Sequence, residues 1–398
     1  MTDILTPNDE QAVRQIIMDC KAKNQSLKIT GGGTRDGLGG KVNATHILSL
    51  KSFSGINLYE PAALTLVAKA GTPYQEIEAA LAAEGQRLAF EPMDHRSIYA
   101  SQGEPTIGGI VAGNISGSRR IQSGACRDAL IGVRYICGHG EIVKNGGRVM
   151  KNVTGLDLVK LMAGSFGTLG VITEVAFKTL PTPERQATLM ISGLSAAQAI
   201  EAMSKALGSP FEVTGVAHMP KGQDKSQTLL RIEGFDSQVT YRLEKLRALL
   251  VTDQDIELIE GQQHVDLWRG IGNAEIFADQ AKQLWRLSVK PSDAVEIAKQ
   301  LREKADAKLY FDWGGGLIWA SMNDEVSYGH AVRKIMMSFG GHATLIRASA
   351  STKSQISVFQ PQASGVSKLS AKICQKFDPD GILNPNFFDN QNAMGELA

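Results

Sequence analysis

The sequence predicts an α+β protein built from two domains and a C-terminal segment that returns to the first domain. Its 398 residues exceed the roughly 250–300 at which a single hydrophobic core stops growing. Glycine clusters are concentrated in the first half of the chain, and a β-α-β-β-α-β order of elements occurs twice in the second half. We therefore expect domains at residues 1–183 and 184–350, and the returning segment at residues 351–398.

Composition and charge exclude several classes of protein. Hydrophobic residues make up 43% of the chain and charged residues 21%, which is ordinary for a globular protein. The formal net charge of +1 provides no basic field, so nucleic acid is not an expected partner. Neither a secretion signal nor an apolar run of roughly 18 residues is present, which predicts a cytoplasmic protein without a membrane span. The 4 cysteines lack C-x-x-C spacing, so we expect no iron–sulfur cluster, zinc or other metal site.

The first domain should begin with a helix and continue with strands separated by glycine loops. Thr6 is the expected N-cap of this helix, Pro7 its first residue, and Lys23 its approximate end. The elements expected next are strands Leu27–Thr30, His46–Leu50 and Leu64–Ala70, a helix opened by Thr72 and Pro73 and stopped by Gly85, and a hairpin of Ile131–Cys137 with Glu141–Lys144.

The second domain should contain two β-α-β-β-α-β units that form one antiparallel sheet covered by helices. In the first unit, Gln198 completes a capping box at the start of a helix. The first unit is predicted as Thr188–Ile191, Ser195–Leu207, Val213–Met219, Leu229–Phe235, Gln238–Leu250 and Ile256–Glu260. The second is predicted as Trp285–Val289, Ser292–Lys304, Lys308–Asp312, Leu317–Ser321, Val326–Ser338 and Ala343–Arg347.

The first glycine cluster, Gly31–Gly40, is suited to a diphosphate. Glycine is costly in a folded chain and is kept where backbone amides must approach a ligand or another segment closely. The Rossmann fingerprint fails because Asp36 and Val42 stand three residues after Gly33 and Gly39. A P-loop fails because Val42 replaces the hydroxyl that would bind magnesium. Taken alone, the cluster is equally compatible with a wide surface turn.

Three segments in order resemble the PCMH-type FAD-binding family typified by vanillyl-alcohol oxidase and the D-lactate and glycolate dehydrogenases. The first is Thr30–Thr34, the second is Pro92 with Pro105–Gly117, and the third is Lys151–Thr173. The closing segment Phe377–Asn386 is also similar to the end of that family's chains. The resemblance implies a PCMH-type FAD-binding domain of two α+β subdomains, followed by a cap domain built from the two repeated units.

The resemblance also implies FAD as the cofactor, held without a covalent bond. Covalent attachment in the family uses a histidine or cysteine, where this chain has Gly33, Thr34 and Glu104. Arg35 and Asp36 either pair with FAD or form an exposed charged turn, and the sequence leaves both readings open. The residues expected to bind FAD are Gly31, Gly32, Gly33, Thr34, Arg35, Asp36, Pro92, Thr106, Ile107, Gly108, Gly109, Ala112, Asn114, Gly117, Gly167, Thr168, Gly170, Val171 and Ile172.

Catalytic residues are harder to predict. Relatives that oxidise 2-hydroxy acids carry a histidine-rich metal motif, whereas no two histidines here lie closer than His330 and His342. The weak candidates are His342 and Arg347, which an odd spacing places on opposite faces of a strand. A structural ion pair is the more common role of such an arginine. Arg119 and Arg120 follow the second FAD segment and could face an anion, but solvated loop arginines are the default expectation.

A last departure from the family is Phe166, where related dehydrogenases usually have glutamate, so a polar contact to the flavin is expected to be missing. The whole pattern looks most like the FAD-binding subunits of bacterial glycolate oxidase. It implies oxidation of glycolate to glyoxylate with hydride transfer to FAD, and electron transfer to an iron–sulfur subunit beside a catalytic flavoprotein subunit. Such partners could also hold the chain at the inner membrane. Two alternatives stay open: a self-sufficient FAD dehydrogenase of another alcohol or hydroxy acid, and a structural or electron-relay subunit without a substrate site.

Overall fold

The computed structural model describes residues 3–147, 155–220, 225–250, 254–278 and 282–388. A small parallel sheet opens the chain, in the order β1-β3-β2. Its elements are β1 (Asp3–Leu5), α1 (Glu10–Ala22), β2 (Leu27–Thr30) and β3 (His46–Ser49). The predicted start of α1 was wrong, because Asp9 and not Thr6 is its N-cap and accepts a hydrogen bond from the Ala12 amide at 2.8 Å. The helix starts later than predicted because the residues between β1 and Asp9 form the turn that joins the two elements. Asp9 is also a favourable N-cap because its negative charge lies at the positive end of the helix dipole.

A larger antiparallel sheet follows, in the order β4-β5-β9-β7-β8, with β6 paired to the end of β9. Its strands are β4 (Ile56–Glu60), β5 (Thr65–Lys69), β6 (Gln86–Leu88), β7 (Leu130–Ile136), β8 (Ile142–Gly146) and β9 (Val171–Pro181). Its helices are α2 (Tyr74–Ala83), α3 (Arg96–Tyr99), α4 (Ile107–Ala112), α5 (Arg120–Ser123), α6 (Cys126–Ala129) and α7 (Leu158–Met162). The predicted hairpin is confirmed, with Ile136 opposite Ile142, whereas the sequence did not reveal β4 and β6.

An eight-stranded antiparallel sheet holds the two repeated units, in the order β13-β10-β12-β11-β15-β16-β14-β17. Its strands are β10 (Arg185–Ser192), β11 (Val213–Met219), β12 (Gln227–Gly234), β13 (Ile256–Glu260), β14 (Gln283–Ser288), β15 (Lys308–Asp312), β16 (Leu317–Met322) and β17 (His342–Arg347). The units meet where β11 pairs β15, with Ala217 opposite Asp312. The predicted fold class is therefore confirmed, including the capping box of Ser195 with Gln198.

Helices cover one face of this eight-stranded sheet, and the other face packs on the N-terminal half of the chain. The covering helices are α8 (Ala196–Leu207), α9 (Asp236–Leu249), α11 (Ala294–Ala305) and α12 (Gly329–Phe339). Helix α10 (Gly261–Gly272) lies on the second face, and α13 (Ala350–Gln355) and α14 (Ser364–Phe377) follow β17 in the chain. On the second face, Leu317, Trp319 and Ile346 share a buried cluster with Leu38 and Met93 of the N-terminal half. The junction between the two halves is therefore built by apolar packing, and it encloses the cavities described below.

The end of the described chain is hydrogen-bonded back to the first parallel sheet. Leu27 N donates to Ile382 O at 2.8 Å, and Asn384 N donates to Leu27 O at 2.9 Å. The Asn384 side chain accepts from Ile29 N and donates to Phe166 O, both at 2.7 Å. Asn384 thus ties the loop around Phe166 to β2. No helix in the described ranges is long and apolar enough to cross a bilayer.

Candidate functional site

Two glycine segments approach each other as bare backbone directly after β2. A Cβ atom on Gly32 would lie 1.6 Å from the carbonyl oxygen of Glu104, and one on Gly103 would lie 1.7 Å from the carbonyl oxygen of Gly32. No side chain fits such a distance, so glycine is required at both positions. Gly31 is similarly restricted, with a Cβ only 2.2 Å from the hydroxyl of Thr106. These glycines therefore create the close contact of loops that forms one wall of a groove.

The groove has a volume of about 270 Å³ and is lined by the first glycine loop, by part of α4 and by the returning tail. It contains an unsatisfied cation. Arg35 Nη2 is buried and has no hydrogen-bond partner, while Arg35 Nε donates to His95 Nδ1 at 3.2 Å. A buried guanidinium nitrogen without a partner costs free energy unless a ligand supplies an acceptor. The diphosphate of FAD would supply that acceptor, so the groove fits the cofactor.

The two charged residues of the first glycine loop, Arg35 and Asp36, lie in different surroundings. Asp36 is exposed and forms a salt bridge with Lys28, with 3.1 Å between Nζ and Oδ2. Both residues line the groove, but Asp36 is already paired, whereas Arg35 has a buried guanidinium nitrogen without a partner. Of the two, Arg35 is therefore the side chain placed to meet an anion.

The structure brings most of the residues expected to bind FAD to the groove and to two adjoining cavities. The groove itself contains Gly31, Gly32, Gly33, Thr34, Arg35, Asp36, Thr106, Gly109 and Ala112. A small cavity beneath it, of about 70 Å³, adds Gly108, Gly167, Gly170 and Ile172. A third cavity adds Asn114 and Gly117. Pro92, Ile107, Thr168 and Val171 are not in these linings, and residues 151–154 of the third segment lie outside the described residues.

This third cavity, which we call the junction cavity, has a volume of about 380 Å³ and lies between the N-terminal half and the eight-stranded sheet. It adjoins the groove, since Leu38, Gly113 and Phe166 line both. The eight-stranded sheet contributes residues from β14, β15, β16 and β17. A molecule in the junction cavity would thus meet whatever part of a dinucleotide extends out of the groove.

Two arginines in the junction cavity have no anionic partner. The guanidinium carbons of Arg120 and Arg286 each lie 4.9 Å from the centre of a Trp313 ring. Neither side chain forms a hydrogen bond or salt bridge with a described residue. Burial, together with the charge of Arg120, lowers the pKa of Arg286 to about 10, so both remain cationic at neutral pH. Cation–π contact orients the two guanidiniums and leaves their N–H groups available to a carboxylate.

Asp312 is the only carboxylate in the described lining of the junction cavity. It is 1% exposed, and burial raises its pKa to about 6, against hydrogen bonds that favour the ionised form. Those bonds come from Ser118 Oγ to Oδ2 and from Trp313 N to Oδ1, both at 2.7 Å. A carboxylate has further lone pairs beyond these two acceptor positions. With a pKa near neutrality, it can accept a proton and return it to solvent.

His95 also lines the junction cavity, but its ring is not arranged as a base. Burial and the adjacent charge of Arg35 hold its pKa well below the ordinary value, so the ring is neutral. His95 Nδ1 lies 3.2 Å from Arg35 Nε, which can only donate, and 3.2 Å from Met93 O, which can only accept, so the two contacts require different tautomers of the ring. In either tautomer Nδ1 is engaged by these neighbours, and the ring packs against Arg35 at the edge of the groove.

Both arginines expected to be solvated are instead part of the interior. Arg119 is 3% exposed and paired with Glu233 of β12, and Arg120 faces the junction cavity. The expectation failed because the short helix α5 is packed between the groove and the eight-stranded sheet. Sequence pattern does not reveal that a loop arginine is covered by a distant strand.

Neither weak catalytic candidate is placed for catalysis. Arg347 donates hydrogen bonds to backbone carbonyls at 2.9–3.2 Å, so its guanidinium has a structural role. Its partners are carbonyl groups and not the carboxylate of the expected ion pair. His342 is exposed at the start of β17 and is absent from the junction cavity, whereas Thr344 and Ile346 of the same strand line it. The residues that do converge there, Arg286 and Asp312, were not identified from sequence.

Phe166 lies at the boundary between the groove and the junction cavity. Its ring stacks on Phe387 with 4.8 Å between ring centres, and Phe359 and Phe388 complete an aromatic cluster. Its φ of 51° is unfavourable for a bulky residue, and the strain is borne by hydrogen bonds from its own amide to Ala112 O and from Asn384 to its carbonyl. Phe166 therefore makes aromatic contacts at the position where related dehydrogenases usually have a polar glutamate.

The fold and the glycine-lined groove define a PCMH-type FAD-binding protein, and comparisons with known proteins agree. Residues 3–146 match the family described as FAD binding domain. The solved structure of an alkyldihydroxyacetonephosphate synthase superimposes with a TM-score of 0.67 over 96% of this chain and 76% of that chain, at 15% identity. At such low identity, this likeness shows the fold alone.

Curated relatives then identify the family. Glycolate oxidase subunit GlcE of Escherichia coli (strain K12) is 31% identical over 376 residues, 94% of this chain and 96% of that protein. Glycolate oxidase subunit GlcD of Bacillus subtilis (strain 168) is 30% identical over 190 residues, 47% of this chain and 38% of that protein. A D-2-hydroxyglutarate dehydrogenase of Xanthomonas citri pv. viticola is 30% identical over 191 residues. The chain belongs to the family of PCMH-type FAD-binding glycolate oxidase subunits, and its cofactor is FAD.

Proposed function

We propose that this chain oxidises a small 2-hydroxy acid, glycolate in the first instance, as one subunit of a glycolate oxidase complex. The observation that carries the proposal is the grouping of two unpaired arginines, Arg120 and Arg286, with one buried carboxylate, Asp312, in a cavity that adjoins the FAD groove. A 2-hydroxy acid has a carboxylate to bind and a hydroxyl proton to lose. The cavity offers a matching group for each.

The chain's own residues divide the work as follows in this proposal. Arg120 and Arg286 bind the substrate carboxylate through charge-assisted hydrogen bonds. Asp312 accepts the hydroxyl proton, while Ser118 and the Trp313 amide hold its carboxylate in place. FAD, when bound, supplies the acceptor for the hydride of the adjacent carbon. The packing of the eight-stranded sheet over the junction cavity excludes bulk water from these charges.

FAD is proposed to be dissociable. No cysteine occurs in the described lining of the groove or the junction cavity, and His95 has its Nδ1 engaged by Arg35. The groove would hold the diphosphate through the glycine-loop amides and Arg35. Acid precipitation of the purified protein should release all of the flavin into the supernatant, whereas a coloured pellet would contradict dissociable binding.

The partners are proposed from the names of the relatives, which call them subunits of glycolate oxidase. We propose that a second flavoprotein subunit and an iron–sulfur subunit join this chain. The iron–sulfur subunit would receive the electrons, because the 4 cysteines here are free and lie far apart in the sequence. Any contact with the inner membrane would be made by those partners.

The test is anaerobic bleaching of the flavin absorbance by glycolate, with D-lactate and D-2-hydroxyglutarate as comparison substrates. Arg120→Met and Arg286→Met should each raise the half-saturating substrate concentration by at least roughly tenfold, as expected when a charge-assisted pair worth about 1.5–3 kcal/mol is lost. Arg127→Met is the matched control, because that side chain is 52% exposed on α6 and outside the junction cavity. Equal saturation in all four proteins would refute carboxylate binding by this pair.

The same measurement separates the alternatives. Bleaching of the isolated chain by an alcohol or by another hydroxy acid, and not by glycolate, would favour a self-sufficient dehydrogenase of a different substrate. Bleaching only after the partner subunits are added, with no response to Arg120→Met or Arg286→Met, would favour an electron-relay subunit. Bleaching by glycolate that depends on both arginines supports the proposal.

A further inference from the structure

Helix α14 carries an apolar stripe whose C-terminal part packs against the core of the N-terminal half and whose N-terminal part is left uncovered by the described chain. Val366, Leu369, Ile373 and Phe377 recur at helical spacing and so lie along one face. Val366 is 53% exposed and Leu369 is 60% exposed, and no residue of this 14-residue helix is buried. Amphipathic helices of globular proteins normally bury such a face. The stripe is therefore suited to burial against another molecule.

The stripe continues into a concave surface. The C-terminal half of α14 and the segment around α7 enclose a groove of about 420 Å³, which we call the α14 groove. Its apolar lining consists of Leu156, Leu158, Leu161, Ile373 and Phe377. Leu156 is 77% exposed, the largest exposure of any large apolar side chain in the described residues. Single exposed apolar side chains are common on proteins, but a contiguous set around a concavity is typical of an interaction site.

The charged side chains of α14 itself are all basic, and the one acidic residue in the described lining of the α14 groove, Asp157, comes from the N-terminal end of α7. Lys368, Lys372 and Lys376 recur every four residues on an adjacent edge of α14, and no acidic residue occurs between Ser364 and Phe377. None of these three lysines forms a salt bridge with a described residue. Lysines left unpaired in this way complement an acidic rim on a partner, and they would steer its approach.

The shape distinguishes between two classes of partner. A basic amphipathic helix can bind an anionic membrane, which is a flat surface. The α14 groove is instead a concavity large enough for a protruding side chain, and a buried apolar anchor surrounded by polar groups is typical of protein interfaces. Concavity and charge together favour a protein over a lipid surface.

The position of the α14 groove relates it to the cofactor. Leu158 and Leu161 belong to α7, and the residues directly after α7, Ala163 and Gly164, line the junction cavity. A partner bound at the α14 groove would contact the helix that leads into the wall of the junction cavity. The α14 groove and the junction cavity are thus linked through α7 and the two residues that follow it.

We propose that the α14 groove and the Val366–Leu369 stripe bind a partner protein that inserts an apolar side chain surrounded by Asp and Glu, and that this partner is another subunit of the oxidase complex. The identity of the partner as an oxidase subunit rests on the proposed function, which requires such subunits. The binding of a partner protein at this surface rests only on the exposure, shape and charge of α14.

The test is co-purification of the tagged full-length chain with the second flavoprotein subunit and the iron–sulfur subunit of the same host, all co-expressed. Two variants are compared with wild type: the double substitution Val366→Glu with Leu369→Glu, and the charge reversal of Lys368, Lys372 and Lys376 to Glu. Met337→Glu is the control, because Met337 is also 61% exposed but lies on α12. We expect both variants to retain at least tenfold less partner, and the control to retain the wild-type amount.

Flavin content and Tm of each variant show whether the chain itself is intact, and both should match wild type because the substituted side chains are exposed. Wild-type recovery of partners by both variants would overturn the docking proposal alone. Failure of the wild-type chain to retain either subunit would overturn the proposed complex as well. If the variants retain the partners but lose self-association, the surface binds a second copy of this chain and the proposal is overturned. If they retain the partners but lose binding to phosphatidylglycerol vesicles, the surface binds a membrane and the proposal is likewise overturned.

Discussion

Replacing Asp312 with asparagine should stabilise the protein at neutral pH while impairing its chemistry. The carboxyl is 1% exposed, and burial raises its pKa to about 6 from an ordinary value of 3.8. Because the folded-state pKa lies above the unfolded value, the group favours folding while it is protonated, below about pH 4. It opposes folding once it is ionised, above about pH 6. Asparagine has no charge to bury.

The size of the effect follows from the difference between the two pKa values, which corresponds to about 3 kcal/mol of unfolding free energy at neutral pH. Asparagine can retain both contacts of Asp312. Its Oδ1 accepts from the Trp313 amide, and the Ser118 hydroxyl can rotate to accept from Nδ2. A gain on the order of 3 kcal/mol is therefore the upper limit, equivalent to a rise of roughly 3 °C in Tm for a chain of this size.

The assay is thermal unfolding of the flavin-free protein between pH 4 and pH 8, with exposed Asp266→Asn as the control. The Tm advantage of Asp312→Asn should be largest at pH 7–8 and vanish as the pH falls toward 4. The same variant, loaded with FAD, should bleach with glycolate at least roughly 100-fold more slowly, as expected for loss of a general base. A variant that is less stable than wild type at pH 7, or a Tm difference independent of pH, would refute the reasoning about the buried charge.

Three further predictions concern the groove and the junction between the halves. Arg35→Gln should raise the Kd for FAD roughly tenfold or more by flavin fluorescence titration, and an unchanged Kd would place the diphosphate elsewhere. Gly32→Ala should expel FAD and lower Tm, since its Cβ would lie 1.6 Å from a carbonyl oxygen, whereas Gly365→Ala has open space and should do neither. Glu233→Gln should lower the unfolding free energy in urea by about 3–5 kcal/mol because it removes the charge that pairs with buried Arg119 and with partly buried Arg87. Exposed Glu212→Gln should cost under about 1 kcal/mol, and equal losses would contradict the role of burial.

Much of the fold could be predicted because local signals agree with the final structure. Strands Val213–Met219, Ile256–Glu260 and Lys308–Asp312 were predicted with the bounds that the structure has, since turn residues limit each apolar run. Helix α10 was missed because it begins at Gly261, has no side-chain cap, and falls between the two repeated units. Strand β1 was missed because three residues carry no measurable periodicity. Its strand character comes from pairing with β3.

The groove was predicted better than the junction cavity, for a physical reason. Glycine loops that bind a diphosphate use backbone atoms of consecutive residues, so their chemistry is visible in a short stretch of sequence. Arg120, Arg286 and Asp312 come from α5, β14 and the end of β15, and each is unremarkable in its own segment. Only the register of the eight-stranded sheet and its packing on the N-terminal half bring them together. Long-range packing of that kind leaves no periodic pattern to read.

Four consecutive residues explain how the two halves are held in register around the cofactor. Gly117 O accepts from Trp313 Nε1 at 3.1 Å, and Ser118 donates to Asp312. Arg119 pairs with Glu233, and the next residue, Arg120, reaches the junction cavity. This segment begins at the last residue of the second resembling segment, Pro105–Gly117, whose earlier residues line the groove. Because each contact involves a buried polar group, a shift of the sheet would leave several groups unsatisfied at once. The position of Asp312, the proton acceptor in our proposal, is therefore fixed relative to the groove by the residues that directly follow the groove lining.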